Sequence, residues 1–232
     1  MTAEAVLREL EAAGDPEIAA HARRYFRAVP GGYGEGDAFL GLRVPELRAR
    51  VRRYRGLALG EVARLLRSRF HEARLLALLL LVDRYRRAEA AEREAVHGLY
   101  LEHLAFVNNW DLVDASAPHL VGAHLEGRDL SLLDRLAAAP SLWERRIALL
   151  ATLHFIRRGA FAATLRLVER LLDDPEDLIH KAAGWMLREV GKRDREALCA
   201  FLADHHRRMP RTMLRYAIER LPDRERKRWM AR

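Results

Sequence analysis

An all-α fold is what this sequence predicts, and three observations predict it. Apolar residues recur at helical spacing along almost the whole chain, as in Val6, Leu7 and Leu10 or Leu75, Leu76, Leu79 and Leu80. Runs of alternating β-branched residues, the mark of strands, do not occur. Start and stop signals divide the 232 residues into roughly a dozen helices with links of about two to six residues, which makes consecutive helices antiparallel neighbours. So many helices cannot share one closed core, so the hairpins should stack. Trp110, Trp143 and Trp185, each near a helix start or middle with cations close by, recur at intervals near or slightly below the ~40 to 47 residues of HEAT or armadillo units. The expected architecture is a single domain, residues 1–232, folded as a curved α-solenoid of HEAT-like helical hairpin repeats.

From the N-terminus, Glu4, Arg8 and Glu9 interrupt the stretch where a secretory signal needs apolar residues. The longest apolar runs, 75–82 and 147–150, fall far short of a membrane span. A cytoplasmic protein with no membrane contact is expected. Asp15-Pro16-Glu17 opens a helix by supplying a capping carboxylate followed by a proline preset for the first turn. Residues 29–43 are the longest non-helical stretch and are rich in glycine. They lack the Lys-Ser/Thr pair and the preceding strand of phosphate-binding loops, so they read first as a mobile linker and second as a backbone contact to phosphate. Val44-Pro45-Glu46 opens the next helix, Gly56 closes one, and His71-Glu72-Ala73-Arg74 reads as the N-terminal cap region of a strongly apolar helix.

In Asn108-Asn109-Trp110-Asp111-Leu112-Val113-Asp114-Ala115-Ser116, either asparagine suits an N-cap. Asp111 then falls in the first turn, where the helix dipole accounts for it. Asp114 has no such account; it stands one turn above Trp110, while Leu112, Ser116 and Leu120 point the other way if the helix persists through Pro118. An indole beside a carboxylate on a non-core face is a candidate catalytic pair, the alternative being a packed tryptophan and an arginine-paired acid. Trp143-Glu144-Arg145-Arg146 begins a helix that is apolar nearly all round and therefore buried. Arg145 and Arg146 stand in a first turn, where cations oppose the dipole, so they call for an acidic partner, a carboxylate such as Asp114 or Glu144 or a phosphate. The alternative is one of them, Arg145 above all, stacked on Trp143 and solvated. Asp174-Pro175-Glu176 opens a further helix, and Gly159 and Gly191 close others. On the helix after residue 176, Ile179, Ala183, Met186, Leu187 and Val190 share one arc, and Trp185 falls nearly opposite with Lys181, Arg188 and Lys192. An aromatic set among cations suits stacking on nucleic acid with phosphate neutralisation, the alternative being a tryptophan wedged between helices. Arg211, with Arg207, Arg208, Arg215 and the 224–232 tail, makes a basic C-terminal region that reads first as a solvated face and second as a contact to phosphate.

Half the residues are apolar and 32% charged, which excludes a disordered or fibrous chain. Lys and Arg number 41 against 33 acids, for a net charge of +8, and the lysines are Lys181, Lys192 and Lys227 alone. The excess favours a polyanionic partner, with a solvated arginine-rich surface as the other reading. The one cysteine, Cys199, excludes an internal disulfide and a Cys-based metal site, and reads as a buried packing residue in a reducing compartment. No His-Glu-x-x-His pattern is present, so no metal and no cofactor are expected.

Gly41-Leu42-Arg43-Val44-Pro45-Glu46-Leu47-Arg48, Asn109-Trp110-Asp111-Leu112-Val113-Asp114, Trp143-Glu144-Arg145-Arg146 and Lys181-Ala182-Ala183-Gly184-Trp185-Met186-Leu187-Arg188-Glu189 together resemble the DNA alkylation repair family, the AlkD-like DNA glycosylases. The resemblance covers essentially the whole chain. It implies a HEAT-like solenoid that cradles duplex DNA containing alkylated bases and excises cationic purines of the 3-methyladenine or 7-methylguanine type. Carried over by position, Asp114 is the catalytic carboxylate, Trp110 and Trp185 the cleft aromatics and Arg146 the cleft arginine. Arg43, Arg145, Lys181, Arg188, Lys192 and Arg211 are the candidate DNA contacts. Some relatives only bind DNA structures, so a non-catalytic solenoid for damaged or branched DNA is the alternative. Because no lysine shares the helix of Trp110 and Asp114, a hydrolase without lyase activity is expected, although Lys181, one turn before Trp185, leaves that point open. A monomer, associated with the nucleoid through DNA, completes the expectation.

Overall fold

The computed structural model describes residues 1–231, and every regular element among them is helical. A parallel bridge between Ala38 and Phe70 is the one isolated extended pairing among these residues. The chain divides into two compact units, Met1–Ser116 and Ala117–Arg232.

The first unit holds α1 (Ala3–Ala12), α2 (Pro16–Tyr25), α3 (Val44–Tyr54), α4 (Leu59–Leu66), α5 (His71–Arg87), α6 (Ala90–Glu102) and nearly all of α7 (Trp110–Ala117). Asp15 caps α2 as its sequence requires, accepting from the amides of Glu17 at 2.8 Å and Ile18 at 3.1 Å. Helix α5 is the centre. Residues 71–78 are buried on every side, and α3, α4 and α6 pack against the helix, as an all-round apolar pattern demands.

The glycine-rich stretch is not a mobile linker. The Asp15 amide donates to Leu40 O at 2.9 Å, Ala38 N to Arg69 O at 3.2 Å, and His71 N to Ala38 O at 2.8 Å. The Glu72 carboxylate, buried at the start of α5, accepts from the successive amides of Leu40, Gly41 and Leu42 at 3.0, 2.8 and 3.3 Å. Gly41 has φ +87°, and a Cβ there would lie 1.9 Å from Asp15 O, so only glycine fits. The segment looked free because every partner that orders it is distant in sequence.

The second unit opens with a π-helical turn, Pro118–Gly122, then α8 (Ser131–Ala137), α9 (Leu142–Ala151), α10 (Leu153–Ile156), α11 (Ala162–Arg170), α12 (Asp177–Gly191), α13 (Arg195–His205), α14 (Arg211–Ala217) and α15 (Asp223–Met230). Pro118 does not continue the α-helix. It has no N–H to give, and the turn widens so that Ala123 N bonds to Pro118 O at 3.1 Å. Helix α12 is the centre here, packed on α9, α13 and α14, with Ile179, Ala183, Met186, Leu187 and Val190 all at 0% exposure. At Gly184 a Cβ would meet Met213 O at 2.4 Å, so α14 approaches α12 backbone to backbone. Two boundaries differ from expectation. Helix α12 starts at Asp177, Asp174 capping the amide of Glu176 at 2.9 Å just before it, and Gly191 is its last residue rather than a stop beyond it. Cys199 is half-buried rather than buried.

Candidate active site

The first turn of α7 is set by side chains that precede it. Asn109, at 0% exposure, accepts the Trp110 amide on Oδ1 at 2.9 Å. Leu112, Val113 and Ser116 turn inward, and the Ser116 hydroxyl donates to Leu112 O at 2.7 Å beside Tyr100 Oη at 3.1 Å. The opposite face carries Trp110, Asp111, Asp114 and Ala115. With Val44 and Arg48 of α3 and Leu75 and Leu79 of α5, these line a cavity of about 220 Å³. The indole is held by Phe26, ring centroids 5.4 Å apart, and by the edge of Tyr25 at 5.9 Å.

Behind that wall is a buried charge cluster. His71 Nε2 lies 2.8 Å from Asp111 Oδ2, and Nδ1 lies 3.2 Å from Asp37 Oδ2. Asp37 Oδ1 is 2.6 Å from the Arg74 guanidinium and accepts from Asn108 Nδ2 at 3.3 Å. The rings of Phe26 and Phe39 stack with the imidazole at 4.7 and 5.0 Å between centroids. Burial works against a charged ring, yet the hydrogen bonds to Asp111 and Asp37 outweigh it, and the His71 pKa rises from 6.5 to about 9. Burial likewise opposes ionisation of Asp37, but the His71 bond and the Arg74 charge hold its carboxyl below the usual range. The cluster thus sets His71 and the Arg74 guanidinium against the carboxyl groups of Asp37 and Asp111, the pairing that buried charge requires. The remaining Asp111 oxygen, Oδ1, is buried and takes no hydrogen bond from the described residues.

The expected site residues are distributed over both units. Arg43 is exposed immediately before α3, and Trp110 and Asp114 share the cavity just described. In the second unit the acidic partner of Arg145 is Asp174, at 2.6 and 3.3 Å, neither Asp114 nor Glu144, and Arg145 also donates to the carbonyls of Ala139 and Pro140. Arg146 is 5% exposed and donates to Leu178 O at 2.7 Å, tying α9 to the start of α12. Trp185 is half-buried, its Nε1 donating to Glu189 Oε1 at 3.2 Å. Around it Lys181 pairs with Asp177 at 2.8 Å, Lys192 with Glu189 at 2.6 Å, and Arg188 with Glu219. Arg211 is exposed and donates to Met230 O at 2.8 Å.

Sequence reasoning missed Arg48, Asp37, His71 and Arg74, and assigned Asp111 to the helix dipole alone. One signal was present: His71, Glu72 and Arg74 immediately precede the all-apolar run 75–82 in the same helix, where polar groups must be buried and paired. Among the described residues no group of three or more His, Cys, Asp and Glu is arranged to hold a metal, and no helix is long and apolar enough to cross a membrane.

A family model described as "DNA alkylation repair enzyme" matches residues 6–221. Among curated proteins nothing matches significantly. A solved structure described as a predicted DNA alkylation repair enzyme from Enterococcus faecalis aligns with TM-score 0.70 over 90% of this chain and 97% of that one, at 19% identity. At that identity the likeness is one of fold.

Proposed function

Because the chain belongs to the DNA alkylation repair enzyme family, we propose that it is a monofunctional DNA glycosylase that releases cationic alkylated purines, of the 3-methyladenine and 7-methylguanine type, from duplex DNA. The observation that carries this reading is the gathering of Trp110, Asp111 and Asp114 around one cavity, two carboxylates and an indole on the same turn and a half of α7. Alkylation at a purine ring nitrogen leaves the base formally positive, so the glycosidic bond is weakened and the leaving group needs no general acid. The bond breaks with its electron pair going to the base, which departs neutral. Positive charge then builds on the sugar. A carboxylate at Asp114 opposes that charge and orients the water that attacks the anomeric carbon, while the indole face of Trp110 offers its negative quadrupole to the same cation.

Each such group is worth roughly 2.7 to 4 kcal/mol of barrier. Neutral lesions lack the activated leaving group, so selectivity for cationic bases follows from the chemistry. Arg48, on the cavity wall, neutralises a phosphate beside the lesion. On the second unit, Trp185 supplies an aromatic face to the DNA, while the buried Arg146 holds the start of α12. Lys181 stands on the second unit, paired with Asp177, and has no part in the proposed step. Excision from methylated duplex DNA tests the reading. The native protein should release 7-methylguanine and 3-methyladenine, and Asp114→Asn should slow release about a hundredfold or more with DNA affinity unchanged. Salt-sensitive DNA binding with no base released would instead assign a non-catalytic binder, and a borohydride-trapped adduct through Lys181 would overturn the monofunctional assignment.

A further inference from the structure

The proposed chemistry uses Asp114 and leaves the clamp behind Asp111 without a task. A helix dipole would be served by a solvated carboxylate, which needs no buried partner. Asp111 is instead only 12% exposed on its side chain, and His71 and Asp37 behind it are at 2% and 3%. Burying four charged groups is costly, and a well-packed apolar set of similar volume stabilises a core at least as well. What the charged set provides is geometry. Asn108 is bonded to Asp37 and Asp111 to His71, so the chain is anchored at two points just before Asp114, with Asn109 closing the turn on the Trp110 amide.

We propose that His71 is a positioning residue: as an imidazolium donating from both ring nitrogens, it fixes the Asp111 carboxylate and with it the first turn of α7, so that Trp110 and Asp114 face the reacting sugar in one arrangement. The inference rests on reading the cavity as the glycosylase site. The charged and titratable groups around the ring are Asp37 from the 28–43 segment, Asp111 from α7 and Arg74 from its own helix, with Phe26 and Phe39 closing the remaining sides. Glu72, next to it on α5, is engaged by the amides of 40–42. A neutral imidazole keeps one N–H, so on deprotonation one of the two carboxylates loses its donor. The charge also bears on the cavity, since Asp111 and Asp114 both line it and the His71 ring stands directly behind Asp111.

The test is single-turnover release of 7-methylguanine from methylated duplex, compared between the native protein and His71→Gln from about pH 6 to about pH 10. The ratio of the two rate constants cancels any titration of the substrate. Below about pH 8 the native protein should be faster by about ten- to a hundredfold with DNA affinity alike, and above about pH 9 the ratio should fall toward one. Asp111→Asn should lose a similar factor, and the double variant should be no slower than the slower single one. Independent losses that multiply, or a pH-independent ratio, would overturn the proposal. Should His71→Gln fail to fold, Asp111→Asn carries the same profile. Titration of the His71 ring by NMR in the intact protein needs no activity: a midpoint near 9 is expected, and one near 6.5 would overturn the clamp. A native protein that shows the high midpoint but releases no base defeats the glycosylase reading instead, and the two failures stay separate.

Discussion

On α7 the charges around Trp110 are secured from behind by buried groups, whereas on α12 the charges around Trp185 are paired along the helix surface, Lys181 with Asp177 and Lys192 with Glu189. The buried set has a single low-energy geometry, because moving any member strands a charge away from water. The surface pairs are worth at most about 1 kcal/mol each and re-form readily with another anion. On the proposed reading, one helix holds the reacting groups still and the other trades its carboxylates for phosphates when DNA binds.

Removing a member of the buried set is the most damaging way to probe that contrast. Arg74→Met leaves Asp37, 3% exposed, short of its guanidinium and should cost about 3 to 5 kcal/mol of stability, read from urea denaturation. A cost below about 1 kcal/mol would show that the cluster is not what holds α7. Asp114→Asn comes next, at about 2.7 to 4 kcal/mol of activation barrier and little change in melting. Trp185→Ala should weaken duplex binding by about 1 to 3 kcal/mol, read by fluorescence anisotropy, if its face stacks on a base.

Stability against pH sharpens the comparison further. The His71 pKa is raised to about 9 from 6.5, so its contribution is complete below pH 6.5 and lost as pH climbs through about 9. Asp37, Asp177 and Glu189 are all shifted down, so theirs is present above the ordinary carboxylate values and lost on acidification. Disabling His71 should therefore flatten the alkaline fall in unfolding free energy, while Lys181→Ala should alter the acid side only. The smallest effects belong to the surface lysines. Lys181→Ala or Lys192→Ala should leave stability within about 0.5 kcal/mol, yet each should lower the slope of log affinity against log salt by about 1.

Much of α12 and α7 was legible in sequence because a helical period carries it. The apolar arc from Ile179 to Val190 is fully buried, and Trp110 and Asp114 do share a face opposite Leu112 and Ser116. The clamp was not legible, since His71 meets residues 34 and 40 positions away and no local spacing encodes such a meeting. The same holds for Arg145, whose partner Asp174 belongs to another helix start, and for the 29–43 stretch, ordered by Arg69 and Glu72. Pro118 was the reverse case: the residue that widens the turn was in view, and the missing N–H was reason enough to end α7 at Ala117.

The three amides gathered on Glu72 have a consequence for folding as well as for binding. Successive backbone N–H groups converging on one anion form a nest of the sort that elsewhere grips phosphate. Here the nest is self-occupied, its anion carried on the first turn of α5, so these three amides are not open to an outside anion. The order of the nest is also conditional: when that turn unwinds, the amides of 40–42 lose their acceptor. Loop and helix start thus open and close as one cooperative unit.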